Sequence, residues 1–395
     1  MPDKIMNFLA KETGGKSYKA HKYGLDHAER PFIDYGEDGA IIWKKTAETT
    51  PHRTYVDLTK ISKKLAQRNE TILSFFLDGS RRVFKVDDIA YSQSGGRSVI
   101  YPIIAGQIGV GCCRRIDKVL KPERFKREIV LSMPDIANAD GKPGFFPATA
   151  QKLNECSELK RLNITLSNIL PYKTAKNTDK KYEDRGTACI QDRMIQREKE
   201  LVAELVRAEK IGPDNYLVKD GSLEYKPSKE DKKDKKKYQT FKNNYDWVIG
   251  ASKNFNPEVC LDINGKPNPG FIADLPLYHR TPVACFENPD FLGDVQFAVW
   301  YIRLRDKKQT LTPFDGILKV EKILVTQEDV DNGVDSDLVD YLSACLINER
   351  NPVCYGKDLR WANHIYPVYL TEQFVKSKYL SAESFLHILV VSSDL

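Results

Sequence analysis

The order of the apolar segments constrains the fold of this chain more than any other feature. Residues 71–77 form a mostly apolar run of the kind found in strands buried on both faces, and residues 83–91 and 98–109 are two more strand candidates close behind it. Three successive strands with short connections predict an antiparallel meander. The run at 71–77 is expected to end in a turn at Asp78-Gly79-Ser80. Residues 125–132 are one further strand candidate.

Helices and strands alternate along the rest of the chain. Periodicity predicts helices at residues 55–69, 148–169, 188–209, 336–349 and 366–376, and strands at residues 216–219, 247–251, 295–304 and 318–326. A meander followed by helix-linked strands predicts an α/β protein with a mixed sheet, in the order of the ribonuclease H-like fold, with added helices. We expect an N-terminal extension at residues 1–70 and one domain at residues 71–395.

Composition excludes several other classes of protein. With 41% hydrophobic residues in 395, the chain can bury a large core, which excludes a disordered polymer. None of the eight cysteines forms a C-x-x-C motif, so they are expected to be free or buried thiols in a reducing cytoplasm. No segment has the length and apolar character of a membrane span, and the N-terminus has no long apolar stretch of a signal peptide.

The positive charge is concentrated in one segment. The formal net charge is +6, and residues 226–242 alone hold eight lysines and three acidic residues, a net charge of +5. This Lys-rich insertion is predicted to be a solvated loop. The alternative is contact with a nucleic acid backbone, with Tyr238 and Phe241 available to stack on bases.

Two Asp-Gly-Ser segments, which begin at Asp78 and Asp220, each follow an apolar strand candidate. Ligands of open α/β sheets bind at strand ends, and a carboxylate followed by glycine leaves room there for a metal ion and a phosphate. The alternative is that both are ordinary turns, since Asp-Gly is a common turn dipeptide.

A third acidic residue is predicted on the helix at residues 188–209. Glu198 falls in the middle of the apolar side of this helix, whereas Glu200 and Glu204 fall on the solvent side. A charge on a buried face is costly unless it is paired or bound to a metal ion. Glu198 is therefore the candidate metal ligand, with Glu200 as the fallback. The alternative is that Glu198 has no role in catalysis and is paired in a salt bridge.

These segments together resemble the NurA nuclease domain. The resemblance rests on FFLDGS at Asp78, REKEL on the helix, YLVKDGSL at Asp220, WVIGASK ending at Lys253 and IYPVYL at Tyr366. It implies a ribonuclease H-like fold and a DNase that depends on Mn²⁺ or Mg²⁺. It also implies a homodimer and partnership with a HerA-type hexameric ATPase. A histidine expected one helical turn after the last motif is absent, and His364 does not match its position.

The resulting hypothesis is hydrolysis of DNA phosphodiester bonds in end processing or antiviral defence. Asp78, Glu198 and Asp220 would bind one or two divalent ions, and Lys253 would orient water or neutralise phosphate charge. One alternative is a degenerate DNA- or ATPase-binding subunit, which the missing histidine favours. Another is a different ribonuclease H-like enzyme, such as a resolvase or an RNA-guided slicer.

Overall fold

The computed structural model describes residues 5–18, 23–25, 42–92, 96–161, 163–175, 181–223, 235–260, 266–287, 295–352 and 359–390. The helices are α1 Ile5–Glu12, α2 Thr59–Arg68, α3 Phe145–Asn154, α4 Ser157–Arg161, α5 Tyr182–Arg207, α6 Lys235–Asn243, α7 Pro269–Ala273, α8 Gln327–Asn332, α9 Ser336–Asn348, α10 Tyr366–Lys376 and α11 Ala382–Val390. The strands are β1 Gly15–Tyr18, β2 Tyr23–Gly24, β3 Ile42–Thr46, β4 Val56–Asp57, β5 Leu73–Ser92, β6 Ser98–Ile116, β7 Val119–Pro134, β8 Asn168–Tyr172, β9 Tyr216–Asp220, β10 Val248–Ser252, β11 His279–Arg280, β12 Ala284–Glu287, β13 Gln296–Arg303 and β14 Ile317–Ile323.

The described strands form one mixed sheet with the order β3-β12-β13-β14-β10-β9-β5-β6-β7-β8. Strands β5, β6 and β7 are the antiparallel meander, while β9 pairs with β5 and β10 pairs with β9 in parallel. The central order β7-β6-β5-β9-β10 is that of the ribonuclease H-like fold, which confirms the predicted α/β fold class. Beyond it, β14 and β13 extend the sheet in antiparallel pairing.

The meander is built from fewer and longer strands than predicted. The candidates at 71–77 and 83–91 are one strand, β5, so the prediction of a turn at Asp78-Gly79-Ser80 is wrong. These residues pair with Gly111, Val110 and Gly109 of β6, so the ladder continues through them. A complete row of hydrogen bonds to a neighbouring strand outweighs the local turn preference of Asp-Gly.

Several other boundaries also differ from the sequence patterns. Helix α2 begins at Thr59 because the two residues of β4 pair with β11. The predicted helical region at 148–169 contains α3 and α4 and then enters strand β8, which pairs with β7. Helix α5 begins at Tyr182, earlier than predicted.

Helices cover both faces of the central sheet, and glycines on β6 let them pack closely. A side chain at Gly106 would collide with Ile190 of α5, and one at Gly109 or Gly111 would collide with Val375 of α10. Successive residues of a strand face opposite sides of a sheet. Helix α5 therefore packs on one face of the meander and helix α10 on the other, and these glycines serve helix packing.

The N-terminal part contributes to the same sheet. Strands β1 and β2 pair with β5, and β3 pairs with β12. The division at residue 70 stays a prediction. Within the described residues, no helix combines the length and apolar character that a membrane crossing requires. The described cysteines are all free thiols.

Candidate active site

The second Asp-Gly-Ser segment, unlike the first, turns the chain at a strand end. Asp220 is the last residue of β9, and Gly221 follows with a φ of +83°, a left-handed conformation that glycine adopts without strain. The buried carboxylate of Glu321 on β14 accepts hydrogen bonds from Ser222 Oγ at 2.8 Å and from the Leu223 amide at 2.6 Å. Glycine is also needed at position 250 of the neighbouring strand, where a Cβ would lie 2.8 Å from the carbonyl oxygen of Gly221.

Parallel pairing brings the two aspartates together. Leu77 lies beside Lys219 in the register of β5 and β9, so the next residues of the two strands, Asp78 and Asp220, are neighbours. Their carboxyl groups are hydrogen-bonded to each other. Burial, together with the charges of Asp220 and Glu372, raises the pKa of Asp78 well above its ordinary value. Asp78 and Asp220 are therefore a coupled acid pair in which the pKa of Asp78 is raised and that of Asp220 is lowered.

Lys253 supplies the positive charge beside this pair. Its Nζ lies 2.8 Å from Asp220 Oδ2 and 3.8 Å from Glu372 Oε2. Burial opposes ionisation of Asp220, but the Lys253 ammonium, together with Asp78 and Lys219, lowers the pKa of Asp220. Burial likewise opposes the charge on Lys253, and the carboxylates of Asp220 and Glu372 nevertheless raise its pKa. The structure therefore brings together Asp78, Asp220 and Lys253, three of the four residues predicted to form the site.

Glu372 of α10 is the acidic residue of this region that the sequence analysis missed. Its Oε1 lies 2.8 Å from Lys376 Nζ, one helical turn further along. Burial opposes ionisation of Glu372, but Lys253 and Lys376 together lower its pKa. Glu372 lies on the buried face of α10 with Val368 and Val375. The test that selected Glu198, an acid on the apolar side of a helix, would also have selected Glu372.

Glu198 is buried, as the helical period of α5 predicts, but it lies on the other face of the sheet. Its Oε2 pairs with Lys219 Nζ at 3.1 Å. The carboxylate approaches the sheet where Gly79 has no side chain, since a Cβ there would collide with Glu198 Oε1. Asp78, the residue before this glycine, faces the side of α10. Burial raises the pKa of Glu198 despite the ammonium of Lys219.

The fallback residue Glu200 pairs with Arg197 near the outer side of α5. Burial opposes ionisation of Glu200, but its hydrogen bond with Arg197 lowers its pKa. His364 is buried, and its carbonyl oxygen accepts a hydrogen bond from the Asn351 amide at 2.9 Å. Residues 226–234, about half of the Lys-rich insertion, and the side chain of Tyr238 lie outside the described residues. Phe241 packs against Tyr245 and beneath the ammonium of Lys199.

The donor atoms of this region suit a hard divalent cation, although they are not arranged as a finished metal site. Asp78 Oδ2 is buried and has no hydrogen-bond partner, so it is an oxygen donor available to an ion. Within the described residues, however, no three His, Cys, Asp or Glu side chains form a group that could hold a metal ion. Lys253 pairs with Asp220 and Lys219 pairs with Glu198, so ammonium groups neutralise these carboxylates. Glu198 also lies on the opposite face of the sheet from Asp78 and Asp220.

No protein-family profile and no curated protein sequence matches this chain. The solved structure of the NurA nuclease from Sulfolobus solfataricus is similar to it, with 13% sequence identity, a TM-score of 0.39, and coverage of 84% of this chain and 91% of that one. The ribonuclease H-like assignment rests on the strand order itself.

Proposed function

We propose that this protein is a metal-dependent deoxyribonuclease that hydrolyses phosphodiester bonds. The observation that carries the proposal is the hydrogen-bonded pair of Asp78 and Asp220, with the Lys253 ammonium 2.8 Å from Asp220. Two carboxylates and an ammonium on adjacent strands are suited to hold a cation and a phosphate side by side. The motifs that resemble the NurA nuclease domain include these three residues.

Asp78 and Asp220 would hold Mn²⁺ or Mg²⁺ through their carboxylate oxygens. A bound ion of this kind lowers the pKa of a water molecule and stabilises negative charge on phosphate oxygens. Lys253 would leave Asp220 for the phosphate and neutralise its charge there. Glu198 remains the third predicted ligand, but because it lies on the α5 face of the sheet it could join this ion only after release from Lys219 and a rearrangement of the strand around Gly79.

The remaining parts of the proposal come from the sequence. The motifs imply a homodimer that acts with a HerA-type hexameric ATPase in DNA end processing or antiviral defence, and the cysteine usage favours a reducing cytoplasm. Copurification with such an ATPase, followed by measurement of cleavage with and without ATP, would test the partnership.

The first test is cleavage by variants of the acid pair. Asp78→Ala and Asp220→Ala are each expected to reduce Mn²⁺-dependent cleavage of DNA by at least about a hundredfold, since each removes an oxygen ligand. Asp140→Ala, which removes an exposed carboxylate that pairs with Lys142, is the matched control and should cleave like the wild type. Single-stranded, duplex and branched DNA and RNA should be compared. Wild-type rates in a folded Asp78 or Asp220 variant would refute the assignment.

The second candidate function is a catalytically degenerate subunit that binds DNA or the ATPase. Its support is the lack of a three-ligand group among the described residues, with Lys253 and Lys219 already paired with the carboxylates. Calorimetric titration with Mn²⁺ separates the two candidates. A nuclease should bind the ion and lose that affinity in Asp78→Asn, whereas a degenerate subunit should show no binding that depends on Asp78.

A further inference from the structure

A single buried carboxylate on α10 orders two ammonium groups beside the acid pair. Glu372 Oε1 lies 2.8 Å from Lys376 Nζ, and Glu372 Oε2 lies 3.8 Å from Lys253 Nζ. The side chains of Lys253 and Glu372 are 9% and 11% exposed, whereas that of Lys376 is 27% exposed. The cluster of Lys253, Glu372 and Lys376, called here the two-lysine cluster, therefore runs from the buried acid pair toward solvent.

The position of α10 fixes this cluster relative to Asp78. The helix rests on β6 at Gly109 and Gly111, where Val375 fills the space that side chains would need. Gly111 pairs with Asp78 in the ladder, so the helix is packed directly beside the acid pair. A side chain at Gly109 would also meet the ring of Tyr379, just beyond α10. The backbone of α10, which carries Glu372 and Lys376, therefore cannot move away from the site without loss of this packing.

The charges of the cluster suit an anion better than a second cation. Each oxygen of Glu372 already faces an ammonium group, so a metal ion would have to displace a lysine to reach it. The cluster itself holds two ammonium groups and one carboxylate; the Asp220 carboxylate, 2.8 Å from Lys253, balances the second ammonium until Lys253 moves to a phosphate. Side chains held in place by a buried partner also lose less conformational entropy when a ligand binds.

We infer that Glu372 is a positioning residue that holds Lys253 and Lys376 as a paired contact for the phosphate backbone of DNA next to the acid pair. This inference rests on the proposed function and assigns Lys376 to substrate binding. Lys253 would contact the phosphate nearest the carboxylates, and Lys376, one helical turn further along, would contact a neighbouring phosphate.

The DNA affinity of Glu372→Gln tests the inference, because the two explanations predict changes of affinity in opposite directions. Removal of a negative charge strengthens attraction to DNA if only net charge matters. If Glu372 positions the lysines, the affinity should instead fall, by at least about threefold. The measurement is fluorescence anisotropy with labelled single-stranded and duplex DNA in EDTA, so that no cleavage occurs. Affinity equal to or above that of the wild type would overturn the inference.

Lys376→Met should weaken binding in the same assay and reduce the slope of log affinity against log salt by roughly 0.7 to 0.9, as expected for one lost phosphate contact. The matched control is Lys142→Met, an exposed lysine paired with Asp140, which should leave the slope unchanged. In the double variant, Glu372→Gln should weaken binding less than it does in the wild type, because the part of its effect that acts through Lys376 is already lost and only the part through Lys253 remains. Full additivity, or an unchanged slope in Lys376→Met, would contradict the proposal.

Calorimetric titration with Mn²⁺ separates this role from direct metal binding. Glu372→Gln should keep the Mn²⁺ affinity of the wild type within about threefold, whereas loss comparable to that in Asp78→Asn would make Glu372 a ligand and reject the positioning role. The proposed nuclease is tested independently by cleavage. Metal-dependent cleavage that is lost in Asp78→Ala, combined with unchanged DNA binding in Glu372→Gln, would sustain the function and refute only this inference.

Discussion

The two Asp-Gly-Ser segments have the same three residues and different backbones. The first continues the ladder between β5 and β6, whereas the second ends β9 in a turn with Gly221 at a φ of +83°. In the first, the neighbouring strand satisfies the backbone. In the second, the Glu321 carboxylate binds Ser222 and the Leu223 amide. A local motif therefore does not determine its own conformation; the groups available to pair with its backbone do.

Asp78 and Asp220 nevertheless lie side by side, because β5 and β9 are neighbouring parallel strands. The glycines serve different purposes. Gly79 leaves space for the carboxylate of Glu198, and Gly221 permits the turn. The comparison predicts different responses when each segment is altered.

The largest effect is expected from removal of the carboxylate that holds the second segment. Glu321 is fully buried, and Lys319 Nζ lies 2.7 Å from it. Glu321→Ala should destabilise the protein by about 3–5 kcal/mol, because it leaves a buried ammonium and two hydrogen-bond donors without this acceptor. Denaturant unfolding measures the loss.

Hydrogen exchange then distinguishes the two segments in Glu321→Ala. Amides of residues 220–223 should exchange faster, while those of residues 78–80 should keep their protection because the strand ladder holds them. Glu321→Gln, which retains an acceptor oxygen, should lose less stability than Glu321→Ala. A loss below about 1 kcal/mol in Glu321→Ala would show that the turn does not depend on this carboxylate.

The two aspartates should respond in opposite directions to replacement by asparagine. Burial is the main cause that raises the pKa of Asp78 above its value in the unfolded chain. Between these two pKa values the folded state binds more protons than the unfolded state, so the stability of the protein falls as pH rises from the lower value to the higher one. Asp78→Asn removes this effect and should stabilise the metal-free protein at neutral pH. Thermal unfolding between pH 4 and pH 8 in EDTA measures it.

The contribution of Asp220 to stability changes with pH in the opposite direction. Despite its burial, Lys253 lowers its pKa, so its contribution is present above the unfolded pKa and is lost as pH falls through the folded pKa. Asp220→Asn should therefore destabilise the protein at neutral pH, because Lys253 loses its nearest carboxylate. Two variants that shift stability in the same direction would contradict the opposite shifts of the two pKa values.

The smallest effects are expected from the glycines. Gly221→Ala should cost about 1–2 kcal/mol, the strain of a left-handed backbone with a Cβ. Gly141→Ala, at a φ of +63° in open space, is the control for strain alone and should cost a similar amount.

Gly79→Ala has no such backbone strain, and its effect should come from displacement of Glu198 from Lys219. We expect a loss of roughly 1 kcal/mol, as for a disturbed buried pair that can move aside. A crystal structure of the variant would show whether Glu198 has moved. An unmoved Glu198 would refute the close approach at this glycine.

Much of the site could be predicted from local patterns. Apolar runs before Asp78 and Asp220 predicted that both residues follow a strand, which is close for Asp220 at the end of β9 and wrong for Asp78 inside β5, and the period of α5 placed Glu198 on a buried face. The predictions that succeed do so because burial imposes a period of two or of 3.6 residues on the sequence itself. The same period on α10 would have indicated Glu372.

Other features depend on contacts between residues far apart along the chain. The pairing of Asp78-Gly79-Ser80 with β6 is decided by the partner strand, and the separation of Glu198 from the acid pair is decided by the alternation of side chains across that strand. Neither is visible in a window of neighbouring residues.

Local patterns predict most helices and strands and the mixed α/β class, because each depends on a repeat within a few residues; they fail at residues 78–80, where a partner strand replaces the predicted turn. Which carboxylates meet, which ammonium groups neutralise them and how Glu372 joins them from α10 follow from the three-dimensional fold. Side-chain charges act over a few ångströms in space, and folding brings Asp78, Asp220, Lys253 and Glu372 within that range from distant positions in the chain.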